Sequence, residues 1–157
     1  MGSPEGDDAV GLAVAGALAR GPALPEDVRV LALERPGLDL LDALRSADFA
    51  LIVDALRDGG AIGSIRRLVP TALARAARAP SSHSLGVAEA LALGEALGAL
   101  PPRVEILGIE IGGEGEGGCG AEIPLAPAVA AAVGPACRAV RALLAERGPG
   151  PPQDHVG

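Results

Sequence analysis

The sequence predicts an α/β layered domain, with a largely parallel sheet covered by helices. Three observations lead there. Short aliphatic runs alternate with stretches of helical spacing along most of the chain, the order that builds a layered sheet with crossover helices. One run, FALIV at residues 49–53, is apolar at every position, as befits a strand covered on both faces. The chain has 157 residues, of which 49% are hydrophobic, enough for one domain with its own core.

The elements follow in order. Asp7 and Asp8 precede an apolar-periodic stretch at 10–18. This predicts a helix with an Asp cap and with acids at the positive end of its dipole. Gly21-Pro22 ends it. VRVLAL at 28–33 predicts a strand. After the Pro36-Gly37 turn, residues 38–44 have helical spacing. FALIV then runs into Asp54, and Asp58-Gly59-Gly60 makes a loop. GSIRRLV at 63–69 predicts a more exposed strand, 70–78 a short helix and 79–84 a loop. Residues 85–97 predict a helix stopped by Pro101-Pro102, and VEILGIEI at 104–111 another strand. Residues 112–120 read as a flexible glycine-rich loop. Residues 124–147 read as helix, broken or kinked at Gly134-Pro135. The expected division is a single domain over 1–147 and a disordered tail over 148–157.

Composition removes several classes. There are 20 acids against 13 bases, every base being Arg, for a net charge of −7. A nucleic-acid binder needs a basic face, so that class is excluded. Phe49 is the sole aromatic residue, which leaves nothing to build a base-stacking platform. Apolar runs are interrupted by Gly, Pro, Arg or acids well short of the roughly 18–20 residues of a membrane span, and the first residues carry no signal-peptide pattern. Cys119 and Cys137 do not form a C-x-x-C pair and are expected to be reduced thiols. Arg66-Arg67 and the pair Arg75 and Arg78 read as solvated faces. The 112–120 segment lacks the Lys-Ser/Thr ending of a phosphate loop and carries two glutamates.

Three places can carry chemistry: Gly6-Asp7-Asp8, Asp54 directly after the buried strand, and His83 between two serines before a helix. In parallel sheets ligands sit at the carboxyl ends of the strands. Two carboxylates and one imidazole there can hold a divalent transition metal and leave positions open for a substrate. Taken singly, each residue also has a plain reading: Asp8 as a helix cap, Asp54 as a loop cap, His83 as a polar loop residue.

Four blocks in order add to this. They are Gly2-Ser3-Pro4-Glu5-Gly6-Asp7-Asp8-Ala9-Val10-Gly11, LIVDALR around Asp54, Ser82-His83-Ser84-Leu85-Gly86 with its following helix, and Gly108-Ile109-Glu110 followed by Leu125-Ala126-Pro127-Ala128-Val129. In these blocks the chain resembles the hydrogenase maturation endopeptidases, which trim the carboxyl-terminal extension of nickel–iron hydrogenase large subunits. The resemblance implies a three-layer sandwich, a twisted mostly parallel sheet with helices on both faces. It implies that Asp8, Asp54 and His83 are both the metal-contacting and the catalytic residues of an aspartyl-type peptidase. The nickel would arrive with the substrate, and no organic cofactor is needed. The implied partner is a nickel–iron hydrogenase large-subunit precursor, met in the cytoplasm by a monomer, with no nucleic acid and no membrane. Family members carry an apolar strand ahead of the first glycine loop. This sequence starts inside that loop, so the family's first strand is expected to be missing, through a start assigned too late or through decay. The rivals are a truncated, non-catalytic homologue that binds precursor or metal without cleavage, and a small-molecule hydrolase or transferase using Asp54 and His83 in a closed apolar pocket.

Overall fold

The structure, a computed structural model, describes residues 6–34, 37–70, 86–112 and 124–147. Its elements are a single 3-10 turn at Gly6–Ala9, α1 (Val10–Arg20), α2 (Gly37–Leu44), β1 (Phe49–Leu56), β2 (Ile65–Leu68), α3 (Val87–Ala96), β3 (Arg103–Glu110) and α4 (Pro127–Glu146). The sheet has the order β1-β3-β2. β1 runs parallel to β3, with Asp54 opposite Gly108 and Leu56 opposite Glu110. β2 closes the other side of β3 antiparallel, Arg66 facing Gly108.

Two apolar clusters mark the two faces of this sheet. Val10, Val14 and Leu18 of α1 pack with Val129, Ala132, Ala136, Val140 and Leu143 of α4 over Leu107 and Ile109 of β3. On the other face, Leu40 and Leu44 of α2 and Val87, Ala90 and Leu91 of α3 cover Ile52, Val104 and Ile106. The result is three layers, as expected from the sequence. β3, the central strand, is buried at every position but Arg103. Burying each large aliphatic side chain there contributes roughly 1.5–3 kcal/mol.

Glycine is required at Gly63, in the turn leading into β2. Its φ is +84°, and a Cβ there would stand 2.6 Å from the Ala128 carbonyl oxygen. Its own N–H donates to the Glu110 carbonyl at 2.8 Å. A Gly63→Ala variant is expected to lose about 2 kcal/mol or more, from strain and from pushing α4 away. Thermal unfolding would read this as a drop of several degrees.

Several expectations change. Residues 28–33 form no strand, and Val30 and Leu31 are 38% and 45% exposed. β1 is not buried on both faces throughout: only Ile52 and Leu56 are buried, because among the described residues β1 has a strand neighbour on one edge alone. α4 continues without a break through Pro135. Ala132 and Ala136 on either side of that proline are buried against α1 and the sheet, and this packing holds the helix where a backbone hydrogen bond is lost. By length and composition α4 is apolar enough to cross a membrane, contrary to the sequence reading, although one face of it is packed in the core. The arginines of β2 are not simply solvated. Arg66 pairs with Asp58, and Arg67 places Nε 2.7 Å from Glu105 Oε2. Glu105 is 5% exposed, and the Arg67 hydrogen bond above all, with help from Arg103, holds its carboxyl below the ordinary range. Cys137 is a free thiol. The helix expected over 70–78, the loops at 79–84 and 112–120 and the tail fall wholly or mostly outside the described residues.

Candidate active site

The 3-10 turn before α1 stands beside the carboxyl half of β1, and this brings the first and second candidate blocks together. The two acids of the turn separate in role. Asp7 Oδ1 accepts the Ala126 N–H at 2.6 Å and so ties the turn to the start of α4. Neither acid caps α1, whose N-cap position is Ala9 without a side-chain bond. Asp8 turns to the loop after β1. Arg57 forks onto it, NH1 at 3.0 Å from Oδ1 and NH2 at 3.1 Å from Oδ2. Both side chains of this pair are partly exposed, so the pairing is geometrically definite but energetically modest.

Asp54 is half-buried three positions before Arg57. Burial pushes its carboxyl above the ordinary value of 3.8, and the Asp8 carboxylate adds to the effect, while the Ala55 backbone N–H works against it. Asp54 and Asp8 therefore feel each other, and one cation shared between them would relieve both desolvation and repulsion. A carboxyl with raised proton affinity is also a stronger base than an ordinary one.

The loop that carries Arg57 is fastened from below. Glu110, 2% exposed at the carboxyl end of β3, accepts the N–H groups of Asp58 and Gly59 on Oε1, both at 2.9 Å. Asp58 is also engaged by Arg66. Sequence reasoning matched Glu110 to the fourth block without giving it a role. The signal was present nonetheless: a glutamate ending an otherwise apolar strand must find donors.

Asp8 and Asp54 are thus neighbours at the carboxyl end of β1. His83 lies outside the described residues. Among those described, no three His, Cys, Asp or Glu side chains are grouped to hold a metal. The largest concavity, about 730 Å³, runs along the β1 side and includes neither Asp8 nor Asp54, so the pair is not the lining of a closed pocket for a small molecule.

Residues 12–142 match the family profile described as hydrogenase maturation protease. The chain belongs to that family. It is similar in structure to the hydrogenase maturating endopeptidase HybD from Escherichia coli, with a TM-score of 0.78 and 29% identity over 94% of this chain and 90% of that one. A second structure, the solution structure of an endopeptidase from Escherichia coli, gives a TM-score of 0.78 at 28% identity over the same shares. A [NiFe] hydrogenase maturation protease HycI from Thermococcus kodakarensis shares the fold, with a TM-score of 0.69 at 21% identity over 92% of this chain and 87% of that one. No curated protein matches the chain significantly. The chemical class of this family member is peptide-bond hydrolysis.

Proposed function

We propose that this hydrogenase maturation protease removes the carboxyl-terminal extension of a nickel–iron hydrogenase large-subunit precursor after nickel insertion, and that Asp8, Asp54 and His83 contact the nickel carried by that substrate. The observation that carries the reading is the Asp8–Asp54 pair at the carboxyl end of β1, with the Asp54 carboxyl pushed up by burial. His83 fits by topology. Val87, four residues beyond it, packs in the same cluster as Ile52, two residues before Asp54, and four residues of chain reach about 14 Å.

Each group has a task. The metal beside the scissile bond polarises the peptide carbonyl and acidifies a bound water. Asp54, free of an arginine partner and with raised proton affinity, takes the proton from the attacking water and passes one to the leaving amine. Asp8 orients the metal once Arg57 releases it. The protease acts once on a folded precursor, in the cytoplasm, as a monomer, and needs no cofactor of its own.

The test is a gel-shift trimming assay on nickel-loaded and nickel-free precursor. Wild-type chain cleaves the loaded form alone. His83→Ala retains the circular dichroism of the parent and loses about ten- to a hundredfold in rate, the value of one contact to a charged centre. Equal trimming of nickel-free precursor would end the metal-reading proposal. A second outcome concerns the latch: Arg57→Gln frees both Asp8 oxygens, so titration calorimetry with Ni²⁺ on the isolated chain is expected to show affinity raised about tenfold.

A further inference from the structure

Beside β1 lies a place one strand wide that no described strand fills. The Ile111 N–H donates to the Leu56 carbonyl at 2.9 Å, so the even-numbered residues of β1 direct their backbone toward β3 and Leu51 directs its own away from it. Neither the N–H nor the C=O of Leu51 has a partner there. Across the gap, residues 28–33 run without secondary structure, with Val30 and Leu31 exposed. Between them is the groove of about 730 Å³, walled by Val14 and Leu18 of α1 and by Leu40 and Leu44 of α2. Two unmet sequence expectations therefore meet at one feature. An apolar run predicted to be a covered strand stays half-covered, and one predicted to be a strand stays unformed. Both results are what β-forming sequences give when the strand between them is absent.

We propose that this groove is a strand-acceptor site that receives, in trans, the apolar carboxyl-terminal segment of the precursor, laid in extended form along β1. This rests on the proposed function and names the substrate segment it would take. Continuity with the candidate site selects this occupant: the lining follows β1 from Phe49 to Val53 and stops one residue short of Asp54. A strand held there leads directly to the acids. Only a free chain end can slide between two helical layers; a folded body cannot. Polarity follows. With the scissile bond at Asp54, the segment runs antiparallel to β1, and five to six residues of it span about 20 Å. Its terminal carboxylate then lies at the amino end of β1, where Arg29 and Arg103 line the groove. Among the described residues Arg29 has no acidic partner. Backbone pairing supplies affinity in such strand addition, and apolar side chains on alternate faces supply selectivity.

The experiment uses the full chain and a synthetic heptapeptide of Val, Ile, Leu and Thr with a free carboxylate, without nickel and without cleavage. Saturating peptide is expected to slow hydrogen exchange at the Leu51 amide by about tenfold or more. The same peptide N-methylated at alternate residues is expected not to protect Leu51, and carboxyl amidation or Arg29→Ser to weaken binding several-fold. Asp54→Asn is expected to bind the peptide as the parent does. The proposal is overturned if the Leu51 amide is already protected in the free chain, if the N-methylated peptide protects equally, or if amidation changes nothing. Failure of the nickel-dependent trimming assay with Leu51 protection intact would count against the proposed function instead. Trimming that proceeds while Leu51 stays unprotected by peptide would remove the groove inference alone.

Discussion

Replacing Asp54 by Asn is expected to cut trimming of nickel-loaded precursor by about 10²- to 10⁴-fold, the range for loss of a positioned acid–base group, while raising the thermal stability of the domain at neutral pH. The two effects share one cause. Burial, seconded by the Asp8 carboxylate, makes the folded Asp54 carboxyl hold its proton more tightly than an ordinary carboxyl with a value of 3.8. A group whose folded value is raised opposes folding once it must ionise. That penalty is absent below the unfolded value and grows as pH rises through the interval up to the folded one. Asn carries no charge to desolvate, so its advantage in Tm opens above about pH 4 and persists at neutral pH. Thermal melts of both proteins from pH 3 to 8 check the sign. A variant less stable than wild type at pH 7, but not at pH 3, would mean that the ionised carboxylate is held by partners rather than desolvated. The same shift places the acid limb of the trimming profile above pH 3.8, since the base must lose its proton before it can accept one from water.

Much of this arrangement was legible in the sequence. Strands at the positions of β1, β2 and β3 and helices at those of α1 to α4 follow from period, flanking turns and proline stops, because each element meets its tertiary partners with the face its pattern announces. Asp54 stood out because an acid closing an apolar strand has to be explained. The misreadings have a common source: they depended on what lies across from a residue rather than along it. VRVLAL has strand composition, but a strand is made by pairing, and no described strand lies beside it. Asp7 looked like a cap for the helix that follows, yet its acceptor serves Ala126, more than a hundred residues away. Pro135 looked like a breaker, but burial of Ala132 and Ala136 outweighs one lost hydrogen bond. The Arg57–Asp8 fork has no sequence signature at all, since nothing in a spacing of 49 residues announces contact.

The second large effect is expected at Glu110, a residue that touches neither Asp8 nor Asp54 through any recorded bond. Glu110→Leu fills the same volume without an acceptor, leaving the N–H groups of Asp58 and Gly59 without their shared oxygen. Each buried donor left without a partner costs about 1–3 kcal/mol, so urea unfolding is expected to show a loss of about 3 kcal/mol, a large share of the margin of a domain this size. Glu110→Gln is the informative companion. Its carbonyl oxygen can take both N–H groups, and its amide replaces Oε2, a buried atom with no hydrogen-bond partner among the described residues. Stability is therefore expected to return to within about 1 kcal/mol of wild type. The functional consequence passes through the loop. Arg57 follows β1 immediately before the two fastened amides, so releasing them lets its guanidinium leave Asp8 and the turn at Gly6–Ala9 drift from the end of β1. Below the melting temperature of the variant, Glu110→Leu is expected to slow trimming with its amides at 58 and 59 exchanging freely, whereas Glu110→Gln keeps both the protection and the rate. Leu with protected amides and unchanged rate would show that the loop is held by Arg66 and Arg57 alone, and that the glutamate at the end of the central strand has no part in placing the acids.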